Sequence, residues 1–198
     1  MGGVRRNGSE TGPGRPRLEM DGPVLGAVID LITEKGMSAV TIDAVAARAE
    51  VSRAAIYRRW PTKHDLLVAA AETRVGEHDV PDQGSFRAEL AMLLTARLQV
   101  YRMPGTNRLL AGLIGTGAEH EPAPAVYAVY TERITEQTRR IIRRGIARGE
   151  VRAEVDVDAV TTLIAAALPF RLVAELRPPD DSLVEQVVDL ITRAVETP

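Results

Sequence analysis

Four cations in one short stretch set the chemistry this chain can do. Between Ser52 and Lys63, in SRAAIYRRWPTK, stand Arg53, Arg58, Arg59 and Lys63 with no acid among them, although the whole chain has a formal net charge of -2. Guanidinium and ammonium groups gathered on one helical segment suit phosphates, and a guanidinium can also bridge two acceptors on a guanine edge. Other chemistries lack their residues. There are no cysteines, so disulfides, thiol catalysis and Cys-ligated zinc are excluded. The three histidines, His64, His78 and His120, form neither an HExxH pattern nor a paired-His helix face, and Glu119-His120-Glu121 points successive side chains to different faces. No serine lies in a G-x-S-x-G elbow, and Gly112, Gly115 and Gly117 are not followed by G-K-[ST] as a phosphate loop requires. The expectation is a chain that binds rather than catalyses, with no metal and no cofactor.

Two short helices must position those cations. Thr41 is suited to N-cap the first, Asp43 sits in its first turn where the helix dipole favours an acid, and Ile42, Val45, Ala46 and Ala49 form its apolar stripe. After Glu50-Val51, Ser52 caps the second, which turns Ala55 and Ile56 inward and Arg53, Arg58 and Arg59 outward. Trp60-Pro61 closes it, because the residue before a proline is pushed out of the helical region. Thr62 opens a third segment with Asp65 as its capping-box partner, and Lys63 falls in its first turn, where free N–H groups favour a phosphate. Upstream, Val24-Leu25, Val28-Ile29 and Ile32 recur at helical spacing in a helix that ends at Gly36. Taken bare, this is either a helix-turn-helix or an αα-hairpin with a solvated basic face.

The run T-I-D-A-V-A-A-R-A, V-S-R-A-A-I-Y-R-R-W and P-T-K-H-D-L-L, preceded by a helix ending in Lys-Gly, resembles the DNA-binding domain of the TetR family of bacterial transcriptional regulators over residues 22–72. Glu50 departs from the pattern, standing where the family usually has glycine; if φ is positive there, the strain is about 1 kcal/mol. The resemblance implies that Ser52, Arg53, Ala54 and Ala55 lie at the groove-facing start of a recognition helix. It places Thr41, Tyr57, Arg59 and Lys63 for phosphates, leaves Arg58 to either role, and counts Trp60 and Thr62 among the DNA-binding residues.

Composition agrees with an all-α architecture: only 4% of residues are aromatic, 45% are hydrophobic, and alanine is abundant. Residues 1–75 carry eleven Lys/Arg against nine Asp/Glu, and 76–198 carry fourteen against eighteen, a basic head on an acidic body. Three parts are expected: a disordered basic arm over 1–20, a helix-turn-helix domain over 21–72, and a helical regulatory and dimerisation domain over 73–198. Arg15 and Arg17, in Gly14-Arg15-Pro16-Arg17, suit a minor groove, with a solvated tail as the alternative. No apolar run reaches the ~18 residues of a membrane span and no signal-peptide h-region opens the chain, so the expected location is cytoplasmic, with no membrane partner.

Beyond Pro81–Gly84 the pattern predicts helices over 86–103, 107–118, 125–148, 159–176 and 182–195. On the 125–148 helix, Glu132, Glu136 and Arg140 at four-residue spacing predict solvated pairing. The last two helices are apolar over more than one stripe, so one side faces their own domain and the other a second copy. Leu163, Ala167, Val184, Val187, Val188 and Ile191 are the expected interface. Few charges fall on the inward faces, which points to a small apolar or aromatic effector, with Tyr101, Met103, Leu110, Leu113, Tyr127, Tyr130 and Phe170 as candidate lining and plain core as their alternative.

R-G-E-V-R-A-E-V-D and L-P-F-R-L-V resemble the C-terminal regulatory domain of one TetR branch over residues 140–195. Together the resemblances imply a repressor that binds palindromic double-stranded operator DNA as a homodimer and is released by a small-molecule inducer. Two other readings stay open: a DNA-binding regulator without a ligand, and a helical small-molecule or lipid-binding protein.

Overall fold

The computed structural model describes residues 17–75, 80–118 and 125–197, with backbone alone at 17–20, 75, 116–118, 125–130 and 133. Nine α-helices lie among the described residues. The first four are α1 (Arg17–Lys35), α2 (Ile42–Arg48), α3 (Arg53–Arg59) and α4 (Lys63–Val75). Then come α5 (Phe86–Arg102), α6 (Thr106–Ala118), α7 (Ala125–Ala147), α8 (Val157–Val173) and α9 (Asp181–Val195). Expected and observed ends agree to within a few residues. The larger differences have local causes: Asp156 caps α8 by accepting from Asp158 and Ala159 N–H, which starts that helix early. At the other end of the chain, α1 already begins at Arg17, inside the segment expected to be a disordered arm; Arg15 lies outside the described residues.

Side chains sort these helices around two apolar centres. In the first, Val24, Val28 and Ile32 of α1 meet Val45 of α2, Ile56 of α3 and Leu66 of α4, all almost fully buried. Leu109 and Leu113 of α6 belong to this same centre. In the second, Leu90, Leu94 and Leu98 of α5 pack with Ile141 and Ile142 of α7, Ile164 and Leu168 of α8, and Val184, Val188 and Val195 of α9. The α6 helix is thus the body's contribution to the head. Its seam with α1 is close: a Cβ at Gly105, whose φ is +82°, would stand 2.2 Å from Thr33 Oγ1. Arg108 Nη1 donates to Thr33 O at 2.8 Å, satisfying a carbonyl at the end of α1 that has no partner within its own helix.

Charge also enters the body interior, where few inward-facing charges were expected. Glu89 on α5 is fully buried; Arg144 Nε donates to its Oε2 at 2.8 Å, and Arg148 Nη2 stands 3.1 Å from Oε1. Arg148 also bonds Glu150 and Asp82, and Glu150 accepts the Phe86 N–H at 2.7 Å. This network ties the start of α5 to the end of α7. Burial pushes the Glu150 carboxyl up, but Arg148 and the Phe86 N–H outweigh it and leave it below the usual range. Asp82 is also held low, by the Gly84 N–H first and by Arg148. Both carboxylates stabilise the fold at neutral pH, and that contribution is lost as pH falls through their lowered pKa values. Farther along α5, Arg97 is 6% exposed and donates to Ile134 O and Thr138 Oγ1 across on α7.

Glu50 takes the left-handed conformation at φ 55°, as the turn demanded, and Leu176 does so at φ 54° beyond α8.

Three stability effects are expected in chemical denaturation. Glu89→Ala leaves two arginines facing a vacated buried site and costs about 3–5 kcal/mol, whereas Arg48→Ala, which removes a solvated pair with Glu34, changes stability little. Glu50→Gly relieves the left-handed strain and raises stability by up to about 1 kcal/mol.

Candidate nucleic-acid interface

The turn between α2 and α3 is built from the inside. Thr41 Oγ1 accepts the Ala44 N–H at 3.1 Å and Ser52 Oγ accepts the Ala55 N–H at 3.2 Å, so each helix begins at a side-chain cap. Val51 N–H donates back to Ala46 O at 3.0 Å, which folds the chain sharply through Glu50. Val45 and Ile56 are fully buried and fix the angle between the two helices. Because that side of α3 is anchored, its opposite side is committed to solvent: Arg53, Ala54, Tyr57, Arg58 and Arg59 are exposed, and Ala55 is half-buried. Next to it, Thr62 and Asp65 form a reciprocal capping box, with Thr62 N–H to Asp65 Oδ2 at 3.0 Å and Asp65 N–H to Thr62 Oγ1 at 3.1 Å. Lys63 is the first residue of α4 and is exposed beside it.

Trp60 is positioned differently from the exposed set. Only 6% of its surface is accessible, because it closes the apolar centre under the end of α3, with the Arg59 guanidinium 6.0 Å from its ring. Its role on this face is to anchor Arg59 and Pro61 rather than to present a ring outward. Arg17 lies in the first turn of α1, with its side chain outside the described atoms.

Three arginines of the head stand beside acids, a feature that motif reading did not anticipate. Arg48 bonds both Glu34 oxygens, at 2.8 and 2.6 Å, and its guanidinium holds the Glu34 carboxyl below its usual range. Arg59 uses Nε and Nη2 on Asp21 Oδ2. Arg53 Nη1 stands 2.9 Å from Asp43 Oδ1. All three acids were visible in the sequence, but their partners lie on different helices, so only the packing of α1, α2 and α3 pairs them. What remains is an outward surface with a helix N-terminus, exposed cations and one tyrosine. It suits a polyanion carrying hydrogen-bonding base edges.

The residues considered for a ligand fall in different places. Tyr101 packs against the body's apolar centre, and burial pushes its phenol up, against a smaller downward pull from Arg97. Leu113 is buried in the head's centre instead, Leu110 is half-buried, and Met103 is 41% exposed where α5 ends. Phe170, beside Pro169 in α8, turns outward with 60% of its surface exposed. The side chains of Tyr127 and Tyr130 lie outside the described atoms of α7. The described members therefore do not share one enclosed site. Arg97 and Thr138 were passed over, although Arg97 lies between Leu94 and Leu98 on the inward stripe of α5.

The residues considered for pairing also divide. Val184 and Val188 are spent on the chain's own core, because α9 packs against α5 there. Ala167, Val187 and Ile191 are half-buried, and Leu163 is 62% exposed. Leu190, on the same apolar arc of α9, is 67% exposed. The charged face of α7 pairs more widely than four-residue spacing suggested. Arg139 joins Glu132 and Asp158, Arg143 joins Glu136, and Arg144 and Arg148 turn to Glu89.

Comparison with known proteins agrees with this layout. Residues 24–70 match the bacterial regulatory proteins of the tetR family, and residues 80–191 match the tetracyclin repressor-like C-terminal domain. The HTH-type transcriptional regulator YdeS of Bacillus subtilis is 32% identical over 185 residues, covering 88% of this chain and 89% of that protein. The HTH-type regulator Rv1556 of Mycobacterium tuberculosis is 29% identical over 173 residues, covering 84% and 82%. The crystal structure of the TetR family transcription regulator SCO0332 superposes with a TM-score of 0.70 at 27% identity, over 90% of this chain and all of that one. With both halves matched and the helix-turn-helix built as described, this chain belongs to the TetR family of helix-turn-helix transcriptional regulators.

Proposed function

We propose that this regulator is a repressor that binds palindromic operator DNA as a homodimer and is released by a small-molecule effector. The observation that carries the DNA-reading part is the α3 surface. A capped N-terminus and the exposed Arg53, Ala54, Tyr57 and Arg58 stand on a base fixed by Ile56 and Trp60. In that reading the start of α3 enters the major groove and Arg53 meets a base edge. Thr41, Tyr57, Arg59, Thr62 and Lys63 take phosphates, which set register without reading sequence.

Pairing is supported by apolar surface that the single chain leaves exposed on its last two helices. Leu163 and Phe170 are seven residues apart on α8, hence two turns along one side, and Leu190 stands on α9, which packs against α8. A four-helix contact with a second copy would cover all three, with Ala167, Val187 and Ile191 at its base. This assigns Phe170 to the partner contact in preference to an internal cavity.

For the effector, the support lies in the body interior and in α6. Tyr101 and its apolar neighbours suit a largely apolar or aromatic molecule. The effector must bind the DNA-free arrangement more tightly than the DNA-bound one, since only that difference can shift the equilibrium. The α6 helix, with core contacts in the head and packing against α5 and α8 in the body, is the element through which such a difference would pass.

Three outcomes are expected on duplexes selected by the wild-type protein from a randomised pool. Arg53→Ala costs about 1–3 kcal/mol on selected duplexes and relaxes preference at one position per half-site. Lys63→Ala weakens selected and scrambled duplexes alike and lowers the slope of log K against log salt by about 0.9 per lost contact. Leu163→Glu combined with Leu190→Glu keeps the helical content but sediments as a monomer and loses selective binding; a dimer that survives both changes places the interface elsewhere.

A further inference from the structure

An acid sits where a DNA-binding surface should avoid one. Asp43, in the first turn of α2, and Arg53, the first residue of α3, stand 2.9 Å apart and are 69% and 62% exposed at their side chains. At that exposure solvent screens the pair, and it contributes little to the fold. It also places a carboxylate beside the face proposed to meet phosphates, where its repulsion acts within a Debye length of about 8 Å. As a first-turn acid Asp43 suits the dipole of α2, but it works against general DNA affinity, and its pairing with Arg53 points to a further role.

The form of the pairing suggests what does. Arg48 engages both oxygens of Glu34 with both Nη groups, and Arg59 commits Nε and Nη2 to Asp21. Arg53 approaches Asp43 through Nη1. Its Nη2 and Nε can therefore serve the O6 and N7 acceptors of a guanine while Nη1 stays on the carboxylate. We propose that Asp43 is a specificity-determining positioning residue: it holds Arg53 in place for a guanine and penalises sites that lack one.

The penalty follows from charge. Where guanine is present, Arg53 bonds the base without leaving Asp43, and the carboxylate stays neutralised. Where it is absent, Arg53 gains only by swinging to a phosphate, which uncovers Asp43 against the DNA. The acid thus turns a cation that would hold any duplex into one that binds best at a base. This rests on the DNA-reading role of α3.

The test uses the full chain and duplexes selected by wild-type protein from a randomised pool, with a scrambled duplex of equal length as reference. Asp43→Asn, which keeps size and shape, is expected to tighten binding to the scrambled duplex and to shrink the selected-to-scrambled affinity ratio about tenfold. The guanine preference should relax with it. In an Arg53→Ala background the same change should strengthen both duplexes alike and leave the ratio unmoved. Arg53→Lys, which keeps the charge and loses the planar fork, should hold the scrambled duplex as wild type does and lose the guanine preference. A wild-type ratio and an intact guanine preference in Asp43→Asn would overturn the proposal while the DNA-reading role stands. Failure of the wild-type protein to enrich any sequence would overturn both.

Discussion

Burial of Leu109 and Leu113 from α6 among the side chains of α1 and α4 makes the head of this protein answerable to its body. Each leucine so buried stabilises the contact by about 1.5–3 kcal/mol, and both stand in the same apolar centre as Ile56, which fixes α3. Rotating the head relative to α6 would expose that surface, separate Arg108 from Thr33 O, and disturb the close passage of Gly105 over Thr33. Since α6 also packs on α5 and α8, a rearrangement of the body has a mechanical route to α3. Tight packing makes such a route behave as a choice between arrangements rather than a soft hinge.

The head separates what holds it together from what it offers. Its stability comes from residues that never reach the surface, such as Val45, Ile56 and Leu66, and from three side-chain caps that use Thr41, Ser52 and Thr62. The outward cations contribute little to the fold. Evolution is therefore free to choose them, and the acids beside them, for what they do to a bound duplex. The body shows the opposite economy. There Glu89, Arg144 and Arg148 are drawn inward to fasten α5 to α7, while leucines and a phenylalanine on α8 and α9 are left facing out. Apolar surface left outside while charge is pulled inside fits the proposed contact with a second copy.

Most of the head was legible in the sequence because its signals are local. A cap and its partner lie three residues apart, as with Thr62 and Asp65, and the positive φ at Glu50 matches the glycine that the family usually has there. Helix ends in the body were legible for the same reason, since Pro104-Gly105 and Pro178-Pro179 punctuate the chain. What escaped depends on packing. The burial of Arg97 and Glu89 could not be read from a stripe that also contains leucines, because a charge is tolerated there only when another helix brings its partner. For the same reason the apolar pattern alone does not tell that Val184 and Val188 are buried in the chain's own core while Phe170 and Leu190 face outward. A helix apolar on two sides states that it has two neighbours, not which side meets which.

The central claim is that two copies of the α3 surface act together on one duplex, and footprinting of a selected duplex with the mass of the complex measured in parallel tests it most directly. The account predicts two or another even number of protomers bound, and protection with two-fold symmetry. The half-sites should be centred about 10–10.5 base pairs apart or at a multiple of that spacing. A single protomer on an unsymmetrical protected segment would contradict it.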